Sequence, residues 1–102
     1  MPVFSTPFAG NNNDNKLSKP ELIRAIRFSI ASEFEAIQFY EQLEESTDNK
    51  EAKILLHEIA DDEKVHAGNF LYLLKLLSED EEIHYKEGFE EAVRVINREK
   101  DD

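Results

Sequence analysis

The segment DDEKVH, residues 61–66, places a glutamate and a histidine three positions apart in a stretch that otherwise has the pattern of a buried helix. Apolar residues precede the pair in AKILLHEIA and follow it in AGNFLYLLKLL. Residues three apart share one face of a helix, so Glu63 and His66 can offer a carboxylate oxygen and an imidazole nitrogen to the same ion. A carboxylate-rich site with one histidine suits iron or manganese better than structural zinc.

Glu33 is predicted to join this pair from a different helix. The turn between the first two predicted helices centres near Thr47 and Asp48, and Glu33 lies about as far before it as Glu63 lies after it. In an antiparallel hairpin the two glutamates are level, and His66 follows about one turn later. Without a basic partner such groups cannot all stay ionised in a buried seam, and a bound cation would resolve this. The alternative, a water-satisfied Glu63–His66 pair, is disfavoured by the level position of Glu33.

The elements that must position these residues are predicted to be helices only. The chain has three glycines and three prolines. No proline follows Pro20, and the sequence shows no strand-type alternation of apolar and polar residues. Helix 1 is expected to begin with a capping box of Ser18 and Glu21, with Pro20 tolerated in its first turn, and to run to about Glu45.

Helices 2 and 3 are predicted from similar terminal signals. The turn STDNKE provides Asp48 or Thr47 as the N-cap of helix 2. Ser78 with Glu81 repeats the capping pattern, so helix 3 is expected to begin there and to end near residue 98. Connections this short predict antiparallel neighbours.

Each helix has an apolar face at about 100° per residue. On helix 2 the stripe contains Ala52, Leu55, Leu56, Ile59, Ala67, Phe70, Leu73, Leu74 and Leu77. On helix 1 it contains Ile23, Ile26, Ile30, Phe34 and Ile37, with Phe28, Phe39 and Leu43 on the opposite side. Helix 3 offers Tyr85, Phe89, Ala92, Val93 and Ile96. Apolar residues on both sides of helix 1 predict self-association, because two or three helices cannot cover both.

Composition excludes several classes of function. The formal net charge is −11, which disfavours binding to nucleic acid or to an anionic membrane surface and favours small cations as ligands. No apolar run approaches the ~20 residues of a membrane span. The sequence contains no cysteine, which excludes disulfides, a thiol nucleophile and cysteine-based metal sites within it.

One small helical domain is expected, at residues 18–98. Residues 1–17 are predicted to form a flexible N-terminal tail, and residues 99–102 a short acidic C-terminal tail. The N-terminal segment lacks the basic and continuous apolar regions of a secretory signal, so a cytoplasmic location is expected.

Only half of a dinuclear metal site is present in the sequence. Four-helix di-iron proteins take a glutamate from each of two helices and Glu-x-x-His from each of two others, whereas this chain has one of each. Two copies meeting across a two-fold axis would supply the full set. The segment SEFEAIQFYEQL followed by DDEKVHA resembles the encapsulated ferritins, half-length ferritin-like proteins that are housed in, or fused to, encapsulin shells. The resemblance covers roughly residues 18–98.

This resemblance implies a ferroxidase that uses oxygen to convert Fe(II) to Fe(III) at a di-iron centre in a homodimer interface. By position, Glu33, Glu63 and His66 match the ferroxidase ligands of that family. Tyr40 matches a tyrosine close to the centre, although an ordinary core tyrosine fits as well, and Glu35 matches an acid of a more exposed metal-attraction site. Mn, Zn or Ca are expected as substitutes for Fe.

The resemblance also implies an architecture and a location. An antiparallel helical hairpin plus a shorter third helix would form a ferritin-like four-helix bundle only on dimerisation, and the dimers would assemble into a ring-shaped decamer inside an encapsulin nanocompartment in the cytoplasm. Two features depart from the family pattern: Ser32 stands where an acid is common, and the C-terminus VRVINREKDD shows no Gly/Leu-rich docking peptide. The alternatives are a rubrerythrin-like di-iron peroxide reductase or oxidase, without rubredoxin-type cysteines, and a non-catalytic metal-stabilised assembly module.

Overall fold

A computed structural model describes residues 16–100, and these form three α-helices and no strand. The helices are α1 (Lys19–Glu45), α2 (Lys50–Leu77) and α3 (Glu79–Lys100). The predicted all-α hairpin with a shorter third helix is therefore confirmed. Nearly all of the predicted N-terminal tail and the last two residues of the C-terminal tail lie outside the described residues, so the predicted domain boundaries stay predictions. No described helix is long and apolar enough to cross a membrane.

The start of α1 follows the predicted capping box. The Ser18 side chain accepts a hydrogen bond from the Glu21 backbone N–H at 3.3 Å, and the Glu21 carboxylate accepts one from the Ser18 N–H at 2.8 Å. Pro20 stands in the first turn, where a missing N–H costs no helical hydrogen bond. The two reciprocal bonds fix the first turn of the helix that carries Glu33.

The N-cap predicted for α2 was wrong. Asn49 takes this place, because its Oδ1 accepts a hydrogen bond from the Ala52 N–H at 2.9 Å. Thr47 lies two residues earlier in the turn, and its hydroxyl accepts a hydrogen bond from the Asn49 N–H at 3.2 Å. The Lys53 ammonium donates to the carbonyls of Glu44 and Thr47, at 2.7 and 3.1 Å, and so satisfies backbone acceptors at the turn.

The hairpin of α1 and α2 has a narrow core. Its buried apolar residues are Ile26, Ile30, Ala60, Ala67 and Leu74. The two alanines lie on α2 on either side of Glu63, where small side chains allow the helices to approach closely. Much of the predicted apolar stripe is not buried within one chain.

Several large apolar residues of the hairpin are exposed instead. Phe34 is 51% exposed, Phe39 55% and Leu55 62%. These residues belong to faces that α1 and α2 do not turn towards each other, and α3 does not cover them. The predicted shortage of partners for the apolar faces of α1 is therefore present in the single chain, and it also affects α2.

Helix α3 leaves the hairpin instead of packing along it. A single residue, Ser78, separates it from α2, its contacts with α2 are few, and none of its residues is buried. The radius of gyration is 18.0 Å, compared with about 13 Å for a compact domain of 100 residues. The expectation that α3 would be an antiparallel neighbour of α2 was wrong, because one connecting residue is too short to reverse the chain.

A group of polar residues, which we call the joint, fixes the place where α3 begins. Arg27 of α1 donates from Nη2 and Nε to the carboxylate of Glu81, at 2.5 and 3.1 Å. The hydroxyl of Ser78 donates to the same carboxylate at 3.2 Å, and so does the hydroxyl of Tyr85. The predicted pairing of Ser78 with Glu81 is thus present, although the contact joins the two side chains and is not a capping box.

Candidate metal centre

Helices α1 and α2 bring three metal-ligating side chains together. One ligand atom from each of Glu33, Glu63 and His66 lies within 4.8 Å of the other two. Glu33 and Glu63 are partly buried and His66 is exposed. We call these three residues the triad. Among residues 16–100, the structure brings no other group of three or more potential metal ligands this close together.

The local sequence explains why the triad forms. Glu63 lies three residues after Ala60 and four before Ala67, so it shares the buried face of α2 with both. Glu33 follows the buried Ile30 by three residues and therefore lies one turn along the buried face of α1. The hairpin packing that buries the apolar residues thus points both glutamates towards the same point between the helices.

No lysine or arginine among residues 16–100 compensates the charge of the two glutamates of the triad. Oxygen Oε2 of Glu33 is buried and has no hydrogen-bond partner within the described part of the chain. No ion pair among residues 16–100 joins a lysine or arginine to Glu33 or Glu63. The nearby Lys64 is used elsewhere, since its ammonium lies 3.1 Å from Glu41 and 3.4 Å from Asp61, and its hydrogen bond to Glu41 raises the pKa of Lys64.

The triad lies nearer to the surface than the sequence predicted. The side chain of His66 is 52% exposed and that of Glu63 22%, and His66 Nδ1 lies 3.9 Å from Glu63 Oε2. The apolar stripe on either side of His66 made a buried position reasonable. In the single chain the surface at this point faces solvent, so the imidazole is free to contact whatever covers it.

Tyr40 and Glu35 line an open groove of about 440 Å³ together with Glu33 and Glu63. Tyr40 is partly buried and Glu35 is exposed. The ring of Phe39 packs edge-on against Tyr40, with 5.6 Å between centroids, and also lines the groove. Sequence reasoning placed Phe39 only on an outer apolar face and missed its position in this groove.

A second histidine has acidic neighbours that sequence reasoning did not identify. His57 Nδ1 lies 3.4 Å from Glu44 Oε1, and His57 Nε2 lies 3.5 Å from Asp61 Oδ2. The separation of four residues between His57 and Asp61 was the available signal. The side chain of His57 is 65% exposed, and no buried unpartnered atom accompanies this group.

The donor set of the triad fits a metal ion. Two carboxylates and one imidazole are hard or borderline ligands of the type that iron and manganese take. An unpaired buried carboxylate oxygen such as that of Glu33 costs free energy in an apo protein, and a cation would remove this cost. Three ligands do not complete the coordination of such an ion, so other groups must contribute.

Comparisons with known proteins agree with this geometry. The sequence model of the Rubrerythrin family matches residues 25–101, a range that contains the whole triad. The chain is 37% identical over 95 residues to a protein named "Encapsulin nanocompartment cargo protein EncC" from Myxococcus xanthus, covering 82% of this chain and 73% of that protein. It is also 35% identical over 81 residues to a protein named "Ferritin-like-encapsulin shell fusion protein" from Pyrococcus furiosus, covering 79% of this chain.

The chain spans only 24% of the length of this fusion protein. Among solved structures, the encapsulated ferritin domain from Pyrococcus furiosus superposes with a TM-score of 0.75 and 34% identity, covering 79% of this chain and 83% of that domain. The fold is thus shared beyond the triad.

Proposed function

Since this chain belongs to the Rubrerythrin family, and within the ferritin-like proteins to the encapsulated ferritins, we propose that it is a ferroxidase that oxidises Fe(II) to Fe(III). Proteins of this family bind two iron ions. The observation that carries the proposal is the triad, in which ligand atoms of Glu33, Glu63 and His66 lie within 4.8 Å of one another and a buried oxygen of Glu33 has no partner among the described residues.

The active unit in this proposal is a homodimer. One chain offers two carboxylates and one imidazole, which is half of the set that a dinuclear carboxylate site uses. A two-fold axis beside His66 would bring a second copy of the same three residues to the exposed side of the first. The exposed apolar residues of α1 and α2, including Phe34 and Leu55, would then be covered by the second copy, and two hairpins would form a four-helix bundle.

Iron is the substrate of the proposed reaction. Two Fe(II) ions give up one electron each, and one molecule of dioxygen that takes up these two electrons and two protons becomes hydrogen peroxide. Anionic oxygen ligands stabilise Fe(III) relative to Fe(II) and so favour the oxidation. In this proposal Glu63 from each copy would bridge the two ions; its side chain is partly buried and its Oε2 lies 3.9 Å from Nδ1 of His66.

Tyr40 and Glu35 have secondary roles in the proposal. Tyr40 lines the groove beside Glu33 and Glu63 and could donate a hydrogen bond to a ligand or supply an electron. Glu35 lines the same groove and is exposed, so its carboxylate would attract Fe(II) towards the triad. Mn(II), Zn(II) or Ca(II) would bind the same ligands, and Zn(II) and Ca(II) would do so without redox chemistry.

The two named relatives support an association with an encapsulin shell. One is named as a cargo protein and the other as a fusion to the shell. We propose that this chain acts in the cytoplasm inside an encapsulin nanocompartment, where the shell would store the ferric mineral, and that its dimers assemble into a larger ring such as a decamer.

The family name favours a second candidate function, the reduction of hydrogen peroxide by a rubrerythrin-like di-iron site. The 102 residues contain no cysteine, so they provide no rubredoxin-type centre to return electrons to the irons. A non-catalytic role, in which metal ions only stabilise an assembly, is a third candidate.

Aerobic addition of Fe(II) in catalytic excess tests the three functions together. A ferroxidase oxidises many equivalents of Fe(II) per dimer with oxygen, which ferric absorbance and oxygen consumption report. A peroxide reductase oxidises the bound iron faster with peroxide than with oxygen. An assembly module binds two equivalents per dimer and then stops. The Glu33→Gln protein is the control, and oxidation by this variant at the wild-type rate would contradict the proposed site.

A further inference from the structure

The bend between α2 and α3 lies at a single residue. The Ser78 backbone has φ −139° and ψ 77°, outside the helical region. Helical hydrogen bonds reach this residue from both sides, because the Ser78 N–H donates to the Leu74 carbonyl at 2.8 Å and the Glu82 N–H donates to the Ser78 carbonyl at 3.3 Å. A change in the backbone conformation of one residue therefore separates two helices from one.

The local sequence does not require this bend. Residues 69–87 contain neither glycine nor proline, the two residues that most disfavour a helix interior. The break also has a cost, because a new helix start leaves the first N–H groups of α3 and the last carbonyls of α2 without helical partners. Helix α3 must in addition nucleate again although none of its residues is buried. One continuous helix over residues 50–100 would avoid both costs.

The apolar pattern of α2 continues across the bend into α3. Ala60, Ala67 and Leu74 are the buried residues of α2. Counted through Ser78 at 100° per residue, they lie within about 60° of four residues of α3. We call these four the α3 stripe, which consists of Tyr85, Phe89, Ala92 and Ile96. The sequence thus has the pattern of one long amphipathic helix, and a contact outside this pattern must bend it.

The bend changes the shape of the whole chain. A straight helix over residues 50–100 would be about 76 Å long, whereas the largest dimension of the structure is 50 Å. The three dimensions of 50, 46 and 18 Å describe a flat L, with the hairpin as one arm and α3 as the other. The α3 stripe is open to solvent in this shape, since Phe89 is 74% exposed and Ile96 54%.

The joint is the tertiary contact that opposes a straight helix. The guanidinium of Arg27 on α1 donates to the Glu81 carboxylate in the first turn of α3, at 2.5 and 3.1 Å. Counted from the turn of the hairpin, Lys19 at the start of α1 is level with about residue 76. In a straight helix Glu81 would lie more than one turn beyond this start, whereas Arg27 lies about two turns inside it. The joint and the straight helix therefore exclude each other.

We propose that the joint is a latch. With Arg27 bound to Glu81, α3 is held across the end of the hairpin. Without this contact, Ser78 becomes helical, and α2 and α3 join into one helix that carries the α3 stripe beyond the start of α1. The latch uses no residue of the triad, so this inference goes beyond the proposed iron chemistry.

The first turn of α3 provides a rival explanation of the bend. Four consecutive acids, residues 79–82, form this turn, and acids favour a helix start through the helix dipole. If these acids fix the break by themselves, the bend does not need Arg27. A variant that removes Arg27 and keeps all four acids distinguishes the latch from this explanation.

Two spin labels measure the bend directly, since the chain has no cysteine of its own. Glu58→Cys on α2 and Arg94→Cys on α3 replace exposed residues. The labelled full chain is measured without metal and is diluted tenfold with unlabelled protein, so that distances within one chain dominate. With Arg27 present, the labels should be about 40 Å apart, as in an L with a right angle. With Arg27→Ala, most of the protein should show about 54 Å, the length of 36 residues of straight helix.

Matched variants make the result specific. Arg24→Ala removes the same kind of side chain about one turn earlier on α1 and should keep the shorter distance. Ser78→Ala added to Arg27→Ala places a stronger helix former at the break and should increase the fraction at the longer distance. Two results for Arg27→Ala would overturn the proposal: an unchanged distance, which means that the acids fix the bend, and a broad distribution without a maximum near 54 Å.

The experiment also separates the latch from the proposed metal chemistry. The distances are measured without metal, so an error in the proposed ferroxidase function leaves them as expected. If only the latch is wrong, Arg27→Ala stays bent while Fe(II) oxidation by wild type proceeds.

Discussion

Two carboxylates in this molecule differ in the hydrogen-bond donors that the chain provides to them. At the joint, Glu81 accepts hydrogen bonds from Arg27 at 2.5 and 3.1 Å, from the Ser78 hydroxyl at 3.2 Å, and from the Tyr85 hydroxyl. In the triad, Glu33 has a buried oxygen with no partner among the described residues. The Arg27 guanidinium, more than the other groups, lowers the pKa of Glu81 to about 2. The chain itself stabilises the charge of Glu81, whereas it provides no donor to the buried oxygen of Glu33 among the described residues.

This difference separates a structural acid, Glu81, from a proposed metal ligand, Glu33. A carboxylate that its own chain compensates adds to the stability of the metal-free protein. A partly buried carboxylate without a donor lowers that stability. A bound cation would offset this cost, which is the reason to expect such a residue at a functional site. The contribution of the joint to stability should therefore depend on pH and on neighbouring side chains, whereas the contribution of the triad should depend on bound metal.

The largest expected difference is in iron oxidation. Glu33→Gln, Glu63→Ala and His66→Ala should each lower the initial rate of aerobic Fe(II) oxidation by at least about 100-fold, because even second-layer partners of metal ligands change affinity or activity by about 10–100-fold. Ferric absorbance after mixing with Fe(II) measures this rate. Glu35→Ala should slow oxidation only at low Fe(II) concentration, since it affects uptake.

Glu81→Gln is the matched control at the joint. It removes the same charge as Glu33→Gln and preserves the shape of the side chain, so its oxidation rate per folded dimer should stay within about twofold of wild type. If the two variants lose activity equally, the proposed division between a structural acid and a ligand is incorrect.

The second effect is the response of stability to metal. At a concentration of Mn(II) 100 times its Kd, binding to the folded state alone should stabilise the wild-type protein by about 2.7 kcal/mol, or on the order of 10 °C in Tm for a domain of this size. Glu33→Gln should lose most of this shift. Without metal, this variant should be no less stable than wild type, because an uncompensated buried charge is gone. Equal metal-induced shifts in thermal melts of the two proteins would mean that Glu33 is not a ligand.

Sequence reasoning could locate the triad because helix geometry is regular. Counting residues from the turn placed Glu33 level with Glu63, and a change in the cap from Asp48 to Asn49 moves this register by one residue only. The exposure of His66 could not be predicted in the same way, because it depends on whether a second chain is present. In the proposed dimer, the apolar pattern around His66 would mark the surface that the second copy buries.

The direction of α3 was not predictable from local signals. Ser78 and Glu81 have the spacing of a capping box, but the Glu81 side chain turns instead to Arg27, 54 residues earlier in the chain. This contact depends on the tertiary arrangement of α1 and α2, and no local pattern marks Arg27 as the partner. Short connections predict antiparallel helices only where the connection is long enough to reverse the chain.

The third effect is the coupling of Arg27 to Glu81. Arg27→Ala and Glu81→Gln should each destabilise the metal-free protein by about 1 kcal/mol, which is below the range of fully buried charge-assisted bonds because the side chain of Arg27 is 51% exposed. The double variant should lose little more than either single variant. Denaturant unfolding in a double-mutant cycle measures this coupling energy, and additive losses would show that the two side chains act independently.

The smallest effect is the pH dependence of the same pair. Glu81 has an ordinary pKa of 4.5 in the unfolded chain and about 2 in the folded one, so the pair contributes its full stability above about pH 4.5 and loses it as the pH falls towards 2. The hydrogen bond to Glu81 raises the pKa of Tyr85 above its ordinary value of 10.0. The contribution of Tyr85 is therefore complete below pH 10 and is lost as the pH rises through the raised pKa.

The difference in unfolding free energy between wild type and Glu81→Gln should accordingly be constant from about pH 5 to 9, and should shrink on the acid side. Metal-free unfolding curves at fixed protein concentration, at pH 7, 4 and 2.5, would measure this difference. A difference at pH 2.5 as large as at pH 7 would mean that the Glu81 charge contributes nothing to the joint, and that only the shape of the side chain holds α3 in place.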